Sequence, residues 1–261
     1  MSLIRNVVTI TNDFEIASTG QFRGKTAYGF NILGRRSGFT STSVFNDVKE
    51  FDNGVADVPV LSNSTLDIIS SNIADAAAGT GVRKVKIVYI DNSNNLVESA
   101  DITLNGTTLV TSVLTGVNEV LWMESTEVGS GNIAAGNIRL RINGGTIEVE
   151  QITAGGNKSM SGKFMIPAGY TGYISGFQGS AIGSANQDMR LRATVNTKDR
   201  SISTIYHFQD NLYLPSGISG TTTFITLKYP ALSKIKVSTI SSATAAANRA
   251  DTSFSIILIQ N

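Results

Sequence analysis

Ile138-Arg139-Leu140-Arg141-Ile142-Asn143-Gly144-Gly145-Thr146-Ile147-Glu148-Val149-Glu150 is the stretch that decides the fold class. Apolar and charged residues alternate on both sides of an Asn-Gly-Gly turn, which is the two-residue period of a half-buried strand pair. A two-residue Gly144-Gly145 loop sets Arg141 opposite Glu148 and Arg139 opposite Glu150, with Ile142 on Ile147 and Leu140 on Val149. A one-residue slip would drive charge into the core, so the register is well specified.

The same pattern extends in both directions. From Arg83 to Ile90, Val85, Ile87 and Tyr89 share one face, while Lys84 and Lys86 take the other. Asp91-Asn92-Ser93-Asn94-Asn95 makes a turn, since Asn and Asp tolerate left-handed backbone, and Leu96 to Leu104 returns as the partner strand. Residues 66–78 read two ways: Leu66, Ile69 and Ile73 suit a helix closed by Gly79, whereas Leu66 and Ile68 before a Ser-rich stretch suit a strand entering a loop. The strand is the favoured reading. Thr153 to Ser159 is Gly-rich and reads as a linker. Beyond it, strands are expected at Met160–Ile166, Tyr170–Phe177, Met189–Val195, Ser201–Phe208, Thr221–Leu227, Lys234–Ile240 and Phe254–Ile259. Short strands with a turn signal every few residues predict an all-β protein of two tandem β-sandwich or jelly-roll-like domains, at 58–154 and 155–261.

Residues 1–57 read as an extended N-terminal arm or irregular layer that packs on something else, because Gly20, Gly24, Gly29, Gly34 and Gly38 interrupt the strand-like pieces; a loop-rich lead-in strand pair is the alternative. Phe22, Phe30 and Ile32 would then need another surface to cover them, with Arg35 and Arg36 beside them, so these five are the expected assembly contacts.

Composition narrows the function. The 261 residues include no cysteine and one histidine, and 16% are charged with a net +1. No disulfide or Cys-based zinc site can form. The near-neutral charge argues against a nucleic-acid partner. The aliphatic run Ile256–Ile259 is far too short to cross a bilayer, and Met1 to Asn6 shows no apolar signal core, so synthesis in the cytoplasm is expected.

Little reactive chemistry is available. His207 lies within Ile205-Tyr206-His207-Phe208, a strand-like run with no nucleophile or carboxylate beside it. Asp91, Ser93 and Asn95 start like a calcium loop but lack the sixth-position Gly and the twelfth-position Glu, where Ile102 stands. Gly155-Gly156-Asn157-Lys158-Ser159 lacks the Gly before Lys that a phosphate loop needs. The expectation is a protein without catalytic, cofactor or metal residues. A glycan site would need exposed, clustered aromatics, for which Tyr170, Tyr173 and Tyr206 are the candidates. Tyr173 and Phe177, sharing parity, read first as a core-facing pair.

Leu66 to Val85 contains Ser70-Ser71, Asp75, Ala77-Ala78 and Gly79-Thr80-Gly81, followed by a hairpin ending in Thr103-Leu104-Asn105-Gly106-Thr107-Thr108. This series resembles a segment of virion structural proteins of tailed bacteriophages, especially marine podoviruses, with a Ser-Ser-x-x-x-Asp-x-Ala-Ala-Gly-Thr-Gly loop between two strands. Tyr28-Gly29-Phe30-Asn31 and Ile166-Pro167-Ala168-Gly169-Tyr170-Thr171 are similar in the same way, whereas the final 80 residues carry no resemblance. The resemblance implies a non-enzymatic virion protein on the head exterior, as decoration or cement, or in the tail. Its partners would be copies of itself, as a closed oligomer such as a trimer, and other virion proteins. The competing expectation is a carbohydrate- or receptor-binding β-sandwich module of a phage tail.

Overall fold

The computed structural model describes residues 27–39, 41–51, 61, 64–143, 145–196 and 199–261. In chain order the strands are β1 (Ala27–Ser37), β2 (Asn46–Asp47), β3 (Leu66–Ser70), β4 (Val82–Asp91), β5 (Leu96–Glu98), β6 (Ile102–Thr103), β7 (Val110–Leu114) and β8 (Val117–Val128). There follow β9 (Ile138–Ile142), β10 (Glu148–Ile152), β11 (Lys163–Met165), β12 (Tyr170–Ile182), β13 (Gln187–Val195), β14 (Ile202–Leu214), β15 (Ser219–Tyr229), β16 (Lys234–Ser241) and β17 (Arg249–Gln260). No helix occurs among the described residues, so the protein is all-β and sandwich-like, and residues 66–78 form β3 and a loop.

Four antiparallel sheets face each other in two pairs. In the first lobe, β10-β9-β3-β7 covers a sheet centred on β4, flanked by β8 and by β5 with β6. Leu66, Ile68, Ile87, Met123, Ile138 and Leu140 fill the space between them. In the second lobe, β1-β17-β12-β15 covers β11-β16-β13-β14, with β2 also on β16. Its largest buried side chains are Phe164, Phe177, Tyr229 and Phe254.

The sheet around β4 belongs to both lobes. Val85 and Ile87 point into the first core as the alternation predicts. Val88 and Ile90, with Leu121 of β8, are buried on the opposite face within the core cluster of the second lobe. The stretch expected to be a linker is fastened to β8: Ser125 N donates to Asn157 O (2.8 Å) and Ser159 N to Met123 O (2.9 Å).

Two expectations require correction. Residues 27–39 and 41–51 are not an arm. β1 pairs along its whole length with β17, from Ala27↔Ile259 to Ser37↔Arg249, and Ile32 enters the second core. One of the glycines that read as breakers, Gly34, marks a close approach instead. A Cβ on Gly34 would lie 2.8 Å from both Gly162 Cα and Thr252 Cγ2. Residues 1–26 and the expected boundary at 57/58 lie outside the described residues.

The second correction concerns the hairpin at residues 138–150. Arg141 does face Glu148, but a bulge between Glu148 and Glu150 shifts the register, so that Glu150 opposes Leu140 and Gln151 opposes Arg139. Val149 and Glu150 are consequently both buried. Arg139 bonds Glu148 (3.2 Å) and Gln151 (3.1 Å) in place of Glu150.

Candidate functional site

The loop that carries the virion-protein resemblance is built around one buried carboxylate. Asp75 is fully buried and accepts from Ser70 Oγ at 2.6 Å, Val82 N at 2.9 Å, Ala135 N at 2.9 Å and Gly136 N at 2.8 Å. Both carboxylate oxygens are consumed by the chain itself, so Asp75 ties β3, β4 and the loop before β9 together and offers nothing to a ligand. A side chain on Gly79 would strike the Ala74 carbonyl, and one on Gly81 would strike Asp75. The Ser, Asp and Gly of the motif are thus parts of one knot.

A second polar cluster lies at the junction of the lobes. Glu119 of β8 receives Lys163 Nζ at 2.9 Å and Lys234 Nζ at 3.0 Å, both from the second lobe. Burial pushes the Glu119 carboxyl upward, yet the two ammonium groups outweigh it and hold it below its ordinary value. Burial likewise opposes the charge on Lys163, but Glu119 and Glu150 keep its pKa above the usual lysine value. Glu150 has no such surplus. Burial pushes its carboxyl up to about 6, against Lys163, the Ser161 hydroxyl and the Gln151 amide. Asp47 joins the same crevice by pairing with Lys236 at 3.2 Å. The crevice encloses about 30 Å³, which suits water and not a substrate. Opposite charges at bonding distance make this junction a fastener between lobes.

The expected assembly contacts are not brought together on a free surface. Phe30 sits 5.7 Å from both the Trp122 and Phe164 rings, and Ile32 is 6% exposed. Arg35 bonds Asp251 at 3.0 Å and Glu50 at 3.5 Å. Arg36 is buried over the Phe39 ring and donates to the Asp47 carbonyl. Phe22 lies outside the described residues.

The tyrosines do not form a platform. Bulges in β12 between Tyr173 and Phe177 reverse the parity, so Phe177 enters the core while Tyr173 packs on Ile257 and Ile259 of the outer face. Tyr170 is half-buried against Tyr28 at 6.0 Å. Tyr206 stands on β14, in the other sheet, with Lys236 at 4.1 Å. His207 bonds Ser203 Oγ at 3.0 Å. Asp91 caps its own turn by accepting from Asn95 N at 2.8 Å. Among the described residues no group of three or more His, Asp or Glu is placed to hold a metal.

Two surfaces remain open. β14 ends its sheet, bonding β13 on one side and no described strand on the other. Ile202, Ile205, Phe208 and Tyr213 on it are 50%, 62%, 51% and 60% exposed. Across the lobe, the outer face of β1-β17-β12-β15 forms a polar trough.

Neither family models nor curated proteins match this chain. Solved structures give loose likenesses only. The N-terminal CBM22-1–CBM22-2 tandem domain of Paenibacillus barcinonensis Xyn10C is 14% identical over 90% of this chain and 93% of that one, with a TM-score of 0.24. The infectious bursal disease virus Gx strain structure is 11% identical over 90% and 72%, with a TM-score of 0.24. The VP2 subviral particle of the same virus is 11% identical over 91% and 72%, with a TM-score of 0.24. A likeness at this level assigns no function.

Sequence reasoning missed both open surfaces. The signal for the first was present: Ile202 to Leu214 contains no lysine or proline, the usual residues that blunt a sheet edge. The trough gives no local signal, because its residues come from four strands.

Proposed function

We propose that this chain is a non-enzymatic structural subunit of a tailed-bacteriophage particle, made in the host cytoplasm and incorporated on the head exterior or in the tail. It assembles with copies of itself, as a closed ring with a trimer as the expected stoichiometry, and with other virion proteins. The sequence resemblance at residues 66–108 points to the class, and the β14 edge is the observation that carries the assembly reading. A thirteen-residue strand at the end of its sheet, with exposed Ile202, Ile205, Phe208 and Tyr213, is a template for another strand. Asp210 is its only residue of fixed charge near neutral pH and His207 the only other that can gain one there, so a copy can approach with little charge repulsion or desolvation cost.

This replaces the N-terminal contacts expected from the sequence, since Phe30 and Ile32 are covered within the chain. Size-exclusion chromatography with light scattering tests it. The full chain should run at three times its monomer mass, and Ile205→Lys with Phe208→Lys should reduce it to monomer. A wild-type chain that stays monomeric at high concentration and does not bind assembled particles would overturn the proposal. Glycan recognition rests on a different surface, the trough, and is independent of this reading.

A further inference from the structure

We propose that the trough on the outer face of the β1-β17-β12-β15 sheet binds an uncharged oligosaccharide. Strand register places two rows of side chains on this face. One row runs Arg35, Asp251, Ser180, Ser219 and the other Leu33, Ser253, Gln178, Thr221. Three inter-strand steps make each row roughly 14 Å long, and the two rows stand roughly 7 Å apart along the strands. The space above them is about 520 Å³, within the ordinary range for ligand clefts.

The chemistry of the lining selects the ligand. Gln178, Ser180, Ser219, Thr221 and Ser253 bond no other side chain among the described residues, so their hydroxyl and amide groups keep their donor and acceptor capacity. They are mounted on paired strands and therefore fixed in spacing. The charges cancel: Asp251 is held by Arg35 Nε at 3.0 Å and Arg249 at 2.9 Å, and Glu50 also pairs with Arg35. A trough rich in free hydroxyls and amides and without surplus charge discriminates against anions and cations and matches a polyhydroxylated neutral chain. Leu33 and Met160 supply an apolar edge for the C–H face of a sugar ring. A protein partner fits less well, because the lining holds no aromatic side chain to serve as an anchor.

Lacking a stacking ring, each trough should bind weakly, with a dissociation constant of order 1 mM, and several troughs on one oligomer would add avidity. Saturation-transfer NMR on the full chain with maltohexaose, cellohexaose, xylohexaose and mannohexaose at up to 10 mM tests this. Transfer to at least one of the four is expected, weakened about tenfold by Gln178→Leu with Ser180→Val, whose circular dichroism should stay that of the wild type. The Ile205→Lys, Phe208→Lys chain should retain the per-chain affinity, so failure of assembly and failure of glycan binding are read separately. No transfer from any of the four, or binding unchanged in the Gln178, Ser180 variant, would overturn the proposal.

Discussion

Replacing Glu150 with glutamine should stabilise the protein increasingly as pH rises from 5 to 8. The Glu150 carboxyl has an ordinary value of 4.5 and is pushed up to about 6 by burial. The native state therefore holds this proton more tightly than the unfolded chain does. The stability tied to it is complete below 4.5 and is lost as pH rises through about 6. A difference of about 1.5 units at about 1.4 kcal/mol per unit gives roughly 2 kcal/mol withdrawn from the wild type by pH 8. Glutamine mimics the neutral, protonated side chain in shape and charge and does not titrate. Glu119 has the opposite slope, being held below 4.5, so its contribution is present above that value and falls away only in acid. Urea unfolding followed by the fluorescence of Trp122, the chain's single tryptophan, measures the effect. The gap between variant and wild type should grow from about 0.8 kcal/mol at pH 5 to about 2 kcal/mol at pH 8. A gap that does not change with pH, or a variant less stable at pH 8, would refute the reasoning.

Asp75→Ala removes the acceptor of four hydrogen bonds and strands buried donors from three segments, so it should cost about 4 kcal/mol or more in thermal or urea unfolding of the first lobe. A loss below about 1 kcal/mol would show that the loop holds itself without the carboxylate. Deleting residues 1–45 removes β1 from β17 and Ile32 from the core, a side chain whose loss alone costs about 2–5 kcal/mol. Limited proteolysis should then cut the second lobe rapidly while a fragment near 64–152 survives. Full resistance of both lobes would mean that β1 is dispensable.

What was legible in the sequence was the strand pattern. The alternations at 138–142 and 83–87, the turn at 91–95 and all seven strands expected after residue 160 follow from a period of two read over a few residues, which is a local property. What escaped was whatever breaks that period or joins distant segments. The bulges at Glu148/Glu150 and between Tyr173 and Phe177 each reverse inside and outside beyond them, and nothing in Val149-Glu150 or Tyr173-Ile174-Ser175-Gly176 marks the slip. Val88 and Ile90 looked like the solvent side of a half-buried strand because their cover is the second lobe. The role of Asp75 was hidden for the same reason: its partners Ala135 and Gly136 are 60 and 61 residues away. The trough is the extreme case, assembled from register alone.

The pairing of β1 with β17 also sets a timetable for synthesis. Arg35 and Asp251 face each other across 216 residues of chain, and β17 lies in the interior of its sheet between β1 and β12. The first lobe has all its strands once Ile152 has left the ribosome and can close while translation continues. The second cannot, since its central strand is the last one made. Throughout that interval Phe30, Ile32 and the apolar faces of β12 and β13 stand uncovered. A ribosome that stalls before β17 therefore releases a chain with one finished lobe and one sticky one, the state most in need of a chaperone.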